Sequence, residues 1–229
     1  MAAAGRRDRI LTLLAADGHN GAGLPGRICA LCVRLATVTG AGLTVISSGG
    51  QRGLVHATDR IARRLEDAQL TVGEGPCVDA FDGRRPVLVA DVSVDSHRWP
   101  AFIPHATIVG VASLFSFPLQ IGAARLGVLD LYRLTSGPLS PDELADALIC
   151  ADLATDALLT GDSELANLDG IDTHAQVYQA VGMVMVQLSV SAEDALLRLR
   201  GYAFAHDELV GEVAREVIGR RLRFEGDPA

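Results

Sequence analysis

The chain has 229 residues, of which 49% are hydrophobic, and its formal net charge is −8. This length allows one domain of about 150 residues and a smaller second one. No apolar run approaches the roughly 18 residues of a membrane span, and the run at 11–16 is too short for a signal peptide, so a cytoplasmic globular protein with no membrane association is predicted. The negative charge excludes a nonspecific nucleic-acid coat, because phosphate contacts need local positive potential.

The first two-thirds of the chain alternate between predicted helices and predicted strands. Residues 1–23 form an N-terminal extension with one short amphipathic helix, and a second helix follows Pro25. Residues 59–70 return to helical spacing. Apolar runs bounded by glycine, proline or aspartate predict five strands, at 40–48, 53–58, 85–91, 111–119 and 125–132. The pattern predicts an α+β domain in which helices flank a mainly antiparallel sheet.

Three motifs of this region carry a family resemblance. They are the loop GEGPC at 73–77, the strand VASLFSFPL at 111–119 and its hairpin partner RLGVLDLY at 125–132. In order and spacing they resemble a GAF domain covering residues 24–160. The resemblance implies a small-molecule ligand between sheet and helices in some members and dimerisation in others, without naming the ligand. We expect a small apolar cavity and no cofactor.

The segment 140–160 begins with a well-marked helix start. Ser140 and Glu143 form a capping box, and Pro141 occupies the first helical position. Apolar or small residues then recur at heptad-like spacing, at 144, 148, 151, 155 and 158. This stripe predicts either the seam of a homodimer or a cover for the sheet, and one helix could do both. Glycines interrupt the helical pattern at 161–172, which is predicted to be a linker.

The last part of the chain, 173–224, is predicted to fold as three short helices, with a tail at 225–229. Thr173 and Ser191 open the first two helices with capping signals, and Asp207 is expected to cap the third. Each helix has one apolar stripe at three- and four-residue steps. Helices of this length bury little surface alone, so they are expected to depend on one another and on a second copy of the chain.

These helices carry a second resemblance. The motifs AVGM at 180–183, EDALLRLR at 193–200 and EVA at 212–214 match, in order and spacing, an ANTAR domain. The resemblance implies the RNA-binding output module of bacterial transcription antitermination regulators, which binds nascent RNA hairpins and suppresses termination. Much of that family has Lys or Arg where this chain has Val181. Together the two resemblances indicate a signal-responsive regulator of the GAF-ANTAR class.

Candidate RNA-binding side chains follow from the chemistry of bases and phosphates. Arginines could clamp phosphates, while aromatic and imidazole rings could stack on unpaired bases. The candidates are Arg198, Arg200, Tyr202, His206, Arg215, Arg220 and Arg221. Alternatively, the arginines that end the third helix only complement its dipole. From residue 162 onward six arginines stand against twelve acidic residues, a net charge of −6, so any RNA contact must be local.

Catalytic and metal chemistry have little support in the sequence. His56, His97 and His105 are scattered and accompany no nucleophile motif, so no enzyme and no catalytic residue are predicted. Cys29 and Cys32 lack a second ligand pair at metal-site spacing. We expect them to be buried thiols, and no metal site is predicted.

Two further functional alternatives stay open. Cys77 follows Pro76 at a predicted helix start, a position that lowers the pKa of a thiol, so a redox-sensing role is one alternative. The other keeps the GAF part as a sensor or dimerisation unit and gives the ANTAR part a role in protein docking. The glycine loop at 73–75 could form an anion-binding nest, although a structural turn is the simpler interpretation.

Overall fold

The computed structural model describes residues 2–17, 23–47, 50–160 and 171–224. Within these residues, five strands form one antiparallel sheet in the order β2-β1-β5-β4-β3. The strands are β1 Gly40–Ile46, β2 Arg52–Ala57, β3 Val87–Val89, β4 Ser113–Ile121 and β5 Ala124–Arg133. All five coincide with predicted strands, and the α+β class is confirmed.

Helices cover both faces of this sheet. One face is covered by α1 (Ala2–Ala16), α2 (Gly23–Leu35) and α6 (Pro141–Thr160). The other face is covered by α3 (Arg60–Val72), α4 (Pro76–Gly83) and α5 (Ile103–Ile108). A third apolar cluster joins α7 (Ile171–Leu188), α8 (Ala192–His206) and α9 (Val210–Ile218) and includes Leu70 of α3. Short α5 was not predicted, because its segment has no apolar periodicity long enough to indicate a helix.

The first helix belongs to the sheet domain of its own chain. Ile10 is fully buried in the core that α2 and α6 form over the sheet. Arg6 adds an ion pair with Asp146 of α6 at 2.9 Å. Phe115 and Phe117 of β4 pack into the same core, whereas Leu114 packs into the core on the other face of the sheet, as a two-residue period requires. The N-terminal segment is therefore part of this core.

Local capping chemistry determines where several helices begin. The Ser140 amide donates to Glu143 Oε2 at 2.7 Å, and the Glu143 amide donates back to Ser140 Oγ, which confirms the predicted capping box of α6. In the same way Ser191 Oγ accepts from the Asp194 amide at 3.1 Å and opens α8. Helix α7 begins at Ile171, so Thr173 lies inside its first turn.

The predicted cap of the third helix is wrong. Asp207 has a left-handed backbone with φ of 55° and ends α8, while α9 begins after Leu209. The carboxylate of Glu212 accepts the Leu209 amide at 3.1 Å and supplies the cap from within α9. Aspartate suits both a helix start and a left-handed helix end, so its presence alone does not distinguish the two.

The loop between α3 and α4 is structural. Gly73 and Gly75 have positive φ angles of 74° and 139°, and they end one helix and begin the next. Glu74 accepts the Ala101 amide at 2.6 Å and the Phe102 amide at 3.1 Å, which ties the loop to the start of α5. An acidic side chain at the centre of the loop disfavours an anion-binding nest.

No single helix of the described residues is long and apolar enough to cross a membrane. The two segments His174–Leu188 and Ala192–His206 pass that test only as a pair, by length and composition, and they are bent by 105°. The predicted linker lies outside the described residues, apart from its last two positions, and the predicted tail lies outside them entirely.

Candidate functional site

An open groove on the three-helix module joins α7 to the segment after α9. Its volume is about 540 Å³. The lining combines two guanidinium groups, two side-chain amides and an apolar floor, and consists of Gln179, Gly182, Met183, Val186, Gln187, Arg220 and Arg223. The Gln187 side-chain oxygen accepts the Phe224 amide at 2.9 Å, which holds the C-terminal segment against α7. The described lining contains no acidic side chain.

Chemically, this groove suits a nucleotide with an unpaired base. Guanidinium groups bind phosphate, amides can hydrogen-bond base edges, and an apolar floor can receive the base. Arg220 was predicted as a candidate, and Arg223 was considered with it among the arginines that end the third helix, while the two glutamines were not predicted. Gln179 and Gln187 are eight residues apart, and this spacing could have predicted that they share a face of α7. The two arginines of the groove come from another element, so the sequence did not indicate that they lie beside these glutamines.

Arg200 lies at the contact between the two domains. Its Nε donates to the Leu70 carbonyl oxygen, at the end of α3, at 3.0 Å. A Cβ added at Gly73 would lie 2.9 Å from Arg200 Nη1, so glycine there also gives the guanidinium room. Burial, followed by the charge of Arg52, lowers the pKa of Arg200. Arg200, which was predicted to bind RNA, is therefore half-buried against the sheet domain.

Three further polar contacts join the two domains. The Val210 amide, at the start of α9, donates to Thr71 Oγ1 at 3.1 Å. The Arg52 amide donates to the Tyr178 hydroxyl at 2.7 Å. His174 Nε2 lies 3.3 Å from a carboxylate oxygen of Asp67. Beside these contacts is a cleft of about 640 Å³ whose lining includes Arg52, Tyr178 and Arg200.

The remaining predicted residues fall into different environments. Tyr202 and His206 stack on each other, with ring centroids 3.9 Å apart, so the two rings act as one unit. Arg221 forms two hydrogen bonds with Glu216, at 2.7 and 2.8 Å. Arg215 and Arg221 line a shallow surface pocket together with Glu208, Glu212 and Glu216, and we call this surface the acidic rim. Arg198 is exposed on α8.

Val181 faces inward. Its side chain is 5% exposed and belongs to the apolar cluster of the three helices. It also lines the interdomain cleft. The neighbouring Val186, four residues after Gly182 on the same helix, is 82% exposed. A cation at position 181 would therefore meet the apolar cluster and the sheet domain before it met solvent.

The interior of the sheet domain contains an acidic cluster that the sequence did not indicate. Glu66 of α3, Cys77 of α4 and Asp130 of β5 each offer one ligand atom, and these atoms all lie within 4.8 Å of one another. Glu66 is 3% exposed and Asp130 8%, so the interior of the sheet domain, which was expected to be apolar, contains two buried carboxyl groups. Burial, followed by Asp130, raises the pKa of Glu66 well above its ordinary value.

The expected lowering of the Cys77 pKa is wrong. Cys77 is fully buried at the start of α4. Burial, followed by the charges of Asp130 and Glu66, raises its pKa well above the ordinary value. The thiol is therefore a poor free nucleophile, because reactivity follows the thiolate. Cys29 and Cys32 are buried as expected, and Cys32 lies against Cys150 of α6.

A sensor-type sheet domain followed by a helical module with a cationic groove defines a two-domain regulator. The chain belongs to the GAF_2 family, whose model, described as GAF domain, matches residues 26–167. The ANTAR domain model matches residues 169–218. The protein thus has the GAF-ANTAR architecture and is a regulator of the ANTAR class. No curated protein sequence matches the chain.

Solved structures share the fold of the sheet domain. The GAF domain of a phosphoenolpyruvate-protein phosphotransferase from Coxiella burnetii is 16% identical, with a TM-score of 0.52, 72% of this chain covered and 96% of the other. The GAF domain of the phosphoenolpyruvate-protein phosphotransferase from Acinetobacter is 12% identical and has the same TM-score, with 69% of this chain and 93% of the other covered.

Proposed function

We propose that this protein is a transcription antitermination regulator that binds RNA hairpins through its ANTAR domain, under control of its GAF domain. The groove between α7 and the C-terminal segment is the observation that carries the proposal. It combines Arg220 and Arg223 with the side-chain amides of Gln179 and Gln187 over an apolar floor. Hairpin loops expose unpaired bases, which such a surface can receive. Nascent RNA is made in the cytoplasm, where this protein would act.

The net negative charge of the chain limits where RNA can approach. Arg221 is paired with Glu216, and the acidic rim around Arg215 repels phosphate. The groove has two cations and no acidic lining among the described residues. We therefore assign Arg220 and Arg223 as primary phosphate contacts. Arg198, Tyr202 and His206 form a secondary contact surface on α8, and Arg215 and Arg221 contribute only after their acidic neighbours are displaced.

Control by the GAF domain would work through the interdomain contact. Arg200 is held against Leu70 and Gly73 in the described conformation, so RNA cannot reach it fully until the domains separate. The contact combines four polar contacts with the packing of Leu70 into the apolar cluster of the three helices, and contacts between domains of one chain resemble transient interfaces. A ligand that favours separation would raise RNA affinity by shifting the population. The GAF domain would bind that ligand, which the structure does not name.

The protein would act by binding and not by catalysis, and as a homodimer. Both domains are regulatory modules, which supports a non-enzymatic role. Leu148 and Leu159 lie eleven residues apart on one face of α6 and are 41% and 52% exposed. A second copy would cover this face and present two RNA-binding modules to one transcript.

The test is a mobility-shift titration of the full chain against hairpin RNA. We expect Arg223→Gln to weaken binding about fivefold, the loss of one charge-assisted contact of about 1 kcal/mol. Arg85→Gln is the matched control, because it removes the charge of an exposed arginine in the sheet domain. Equal affinity of wild type and Arg223→Gln, or no binding by wild type to any hairpin, would contradict the proposal.

A second candidate function is protein docking by the ANTAR domain. Leu197 and Phe204 lie seven residues apart on the outer face of α8 and are 66% and 75% exposed. Exposed apolar side chains on one helix face are typical of protein-binding surfaces. Phe204→Ser should abolish binding to a protein partner and leave hairpin affinity within twofold if the groove is the RNA site.

A further inference from the structure

The acidic cluster is assembled from three elements on one face of the sheet. Glu66 comes from α3, Cys77 from the first turn of α4 and Asp130 from β5. Their ligand atoms lie within 4.8 Å of one another, and Cys77 is fully buried. Two carboxyl groups and a thiol therefore share a volume from which water is largely excluded.

The protein hydrogen-bonds only part of this cluster. Thr44 Oγ1 donates to Glu66 Oε2 at 2.9 Å, and Ser116 Oγ donates to Asp130 Oδ1. The second carboxylate oxygen of Asp130 is buried and accepts no hydrogen bond from an amide or hydroxyl group of the described residues, so that only the other two members of the cluster, Glu66 and Cys77, can bond to it. Buried polar atoms are rarely left without a partner outside their own cluster, and a bound ion is one of the standard reasons when they are.

The surroundings hold the three side chains in a fixed arrangement. The Gln69 side-chain oxygen accepts the Cys77 amide at 2.8 Å and so fixes the start of α4 against α3. Thr44 and Ser116 orient one oxygen of each carboxyl group and leave the other oxygen available. Outer hydrogen bonds of this kind orient ligands in metal sites.

The donor set selects a class of ion. One sulfur and two carboxylate oxygens suit zinc, which takes Cys, His and carboxylate ligands in a tetrahedral arrangement. Calcium and magnesium take six or more oxygen ligands and no thiolate. Zinc bond lengths would put the ligand atoms about 3.5 Å apart, within reach of small side-chain rotations from the observed spacing.

We propose that Glu66, Cys77 and Asp130 form a binding site for a divalent transition-metal ion of the zinc type. Water or an external ligand would complete the tetrahedron. Metal binding would release the protons that the buried carboxyl groups and the thiol otherwise retain. The proposal is independent of RNA binding, since it concerns the interior of the GAF domain, and it replaces the expectation that this domain holds no metal.

Cobalt(II) is a suitable probe, because a thiolate ligand gives it a charge-transfer absorbance in the near ultraviolet. The full chain is stripped with a chelator, dialysed and titrated with cobalt(II). We expect one equivalent to bind with the charge-transfer band, and zinc to displace it. Cys77→Ser should abolish the band, and Glu66→Gln and Asp130→Asn should each weaken cobalt binding at least tenfold.

Cys150→Ser is the matched control, because it removes a buried thiol from the opposite face of the sheet. This variant should retain the band. The melting temperature of wild type should rise with zinc, while Glu66→Gln, which keeps the shape of the side chain, should fold and show no rise. No band in wild type, or a band that survives in Cys77→Ser, would overturn the proposal.

Discussion

The Nε of Arg200 and the carbonyl oxygen of Leu70 lie 3.0 Å apart, across the contact between the GAF and ANTAR domains. The contact connects α8 to the last turn of α3, the helix whose Glu66 enters the buried acidic cluster. A shift of α3 would therefore move both the acidic cluster and the hydrogen bond to Arg200. This geometry gives the GAF interior a physical route to the output module.

Thr71→Val is expected to loosen the docked domains. It leaves the buried Val210 amide without its hydrogen-bond acceptor, at a cost of about 1 kcal/mol, while the volume of the side chain is kept. If docking limits RNA access, hairpin affinity should rise about fivefold. Mobility-shift titration measures the rise, and limited proteolysis between the domains should become faster.

Thr107→Val is the control for this variant. Thr107 Oγ1 donates only to the Ile103 carbonyl within its own helix, away from the domain contact. It should leave RNA affinity unchanged. Tighter binding by both variants, or by neither, would count against docking as the control device.

Val181→Lys is expected to destabilise the protein without strengthening RNA binding. The side chain is 5% exposed, and an ammonium group without a partner there should lower the free energy of unfolding by about 2–4 kcal/mol. The melting temperature and hairpin affinity are measured on the same preparation. An unchanged melting temperature would show that position 181 faces solvent.

Val186→Lys is the matched variant on the same helix. Val186 is 82% exposed and lines the groove beside Arg220 and Arg223. The substitution should leave the melting temperature nearly unchanged and tighten RNA binding about fivefold, the effect of one added charge-assisted contact of about 1 kcal/mol. Weaker or equal binding would argue that RNA does not enter the groove.

Leu148→Glu is expected to separate a homodimer. Leu148 and Leu159 form an exposed apolar pair on α6, and a buried carboxylate between two copies would raise the dissociation constant at least tenfold. Sedimentation velocity at micromolar concentration measures the change. Leu88→Glu is the control, since Leu88 is 45% exposed on edge strand β3. A wild-type monomer would remove the dimer proposal.

The sequence predicted those features of the structure that depend on residues close together along the chain. The capping box at Ser140, the N-cap at Ser191 and the five strands follow from local spacing, and both resemblances rest on contiguous motifs. The acidic cluster could not be read in this way. Its members are 11 and 53 positions apart along the chain and meet only when α3 and α4 pack on β5.

The sequence also did not predict which residues lie at the contact between the two domains. Arg200 lies two positions from Arg198, so the spacing predicted that they point to different faces of the helix, but it did not show that packing of α8 on α3 half-buries Arg200. The spacing placed Val181 on the apolar face of the first helix, whereas the family resemblance placed it at a position that is often basic, and only the packed structure shows that Val181 is buried. These differences come from tertiary packing, which local periodicity does not encode.

The salt dependence of RNA binding gives the most direct count of phosphate contacts. If Arg220 and Arg223 are the two primary contacts of each module, the logarithm of affinity should fall with the logarithm of salt concentration by about 1.4, at about 0.7 per contact on single-stranded RNA. Arg223→Gln should reduce that slope to about 0.7. Arg85→Gln should leave it unchanged, because its charge lies in the sheet domain.

This slope also separates the groove from the rest of the module. A double variant, Arg200→Ala with Arg215→Ala, should keep the wild-type slope while the groove is intact, because Arg200 is held by Leu70 and Arg215 stands in an acidic rim. A slope that falls in the double variant and persists in Arg223→Gln would move the RNA site from the groove to α8 and α9. Hairpin affinity at one salt concentration cannot make this distinction, because undocking and phosphate contact both change it.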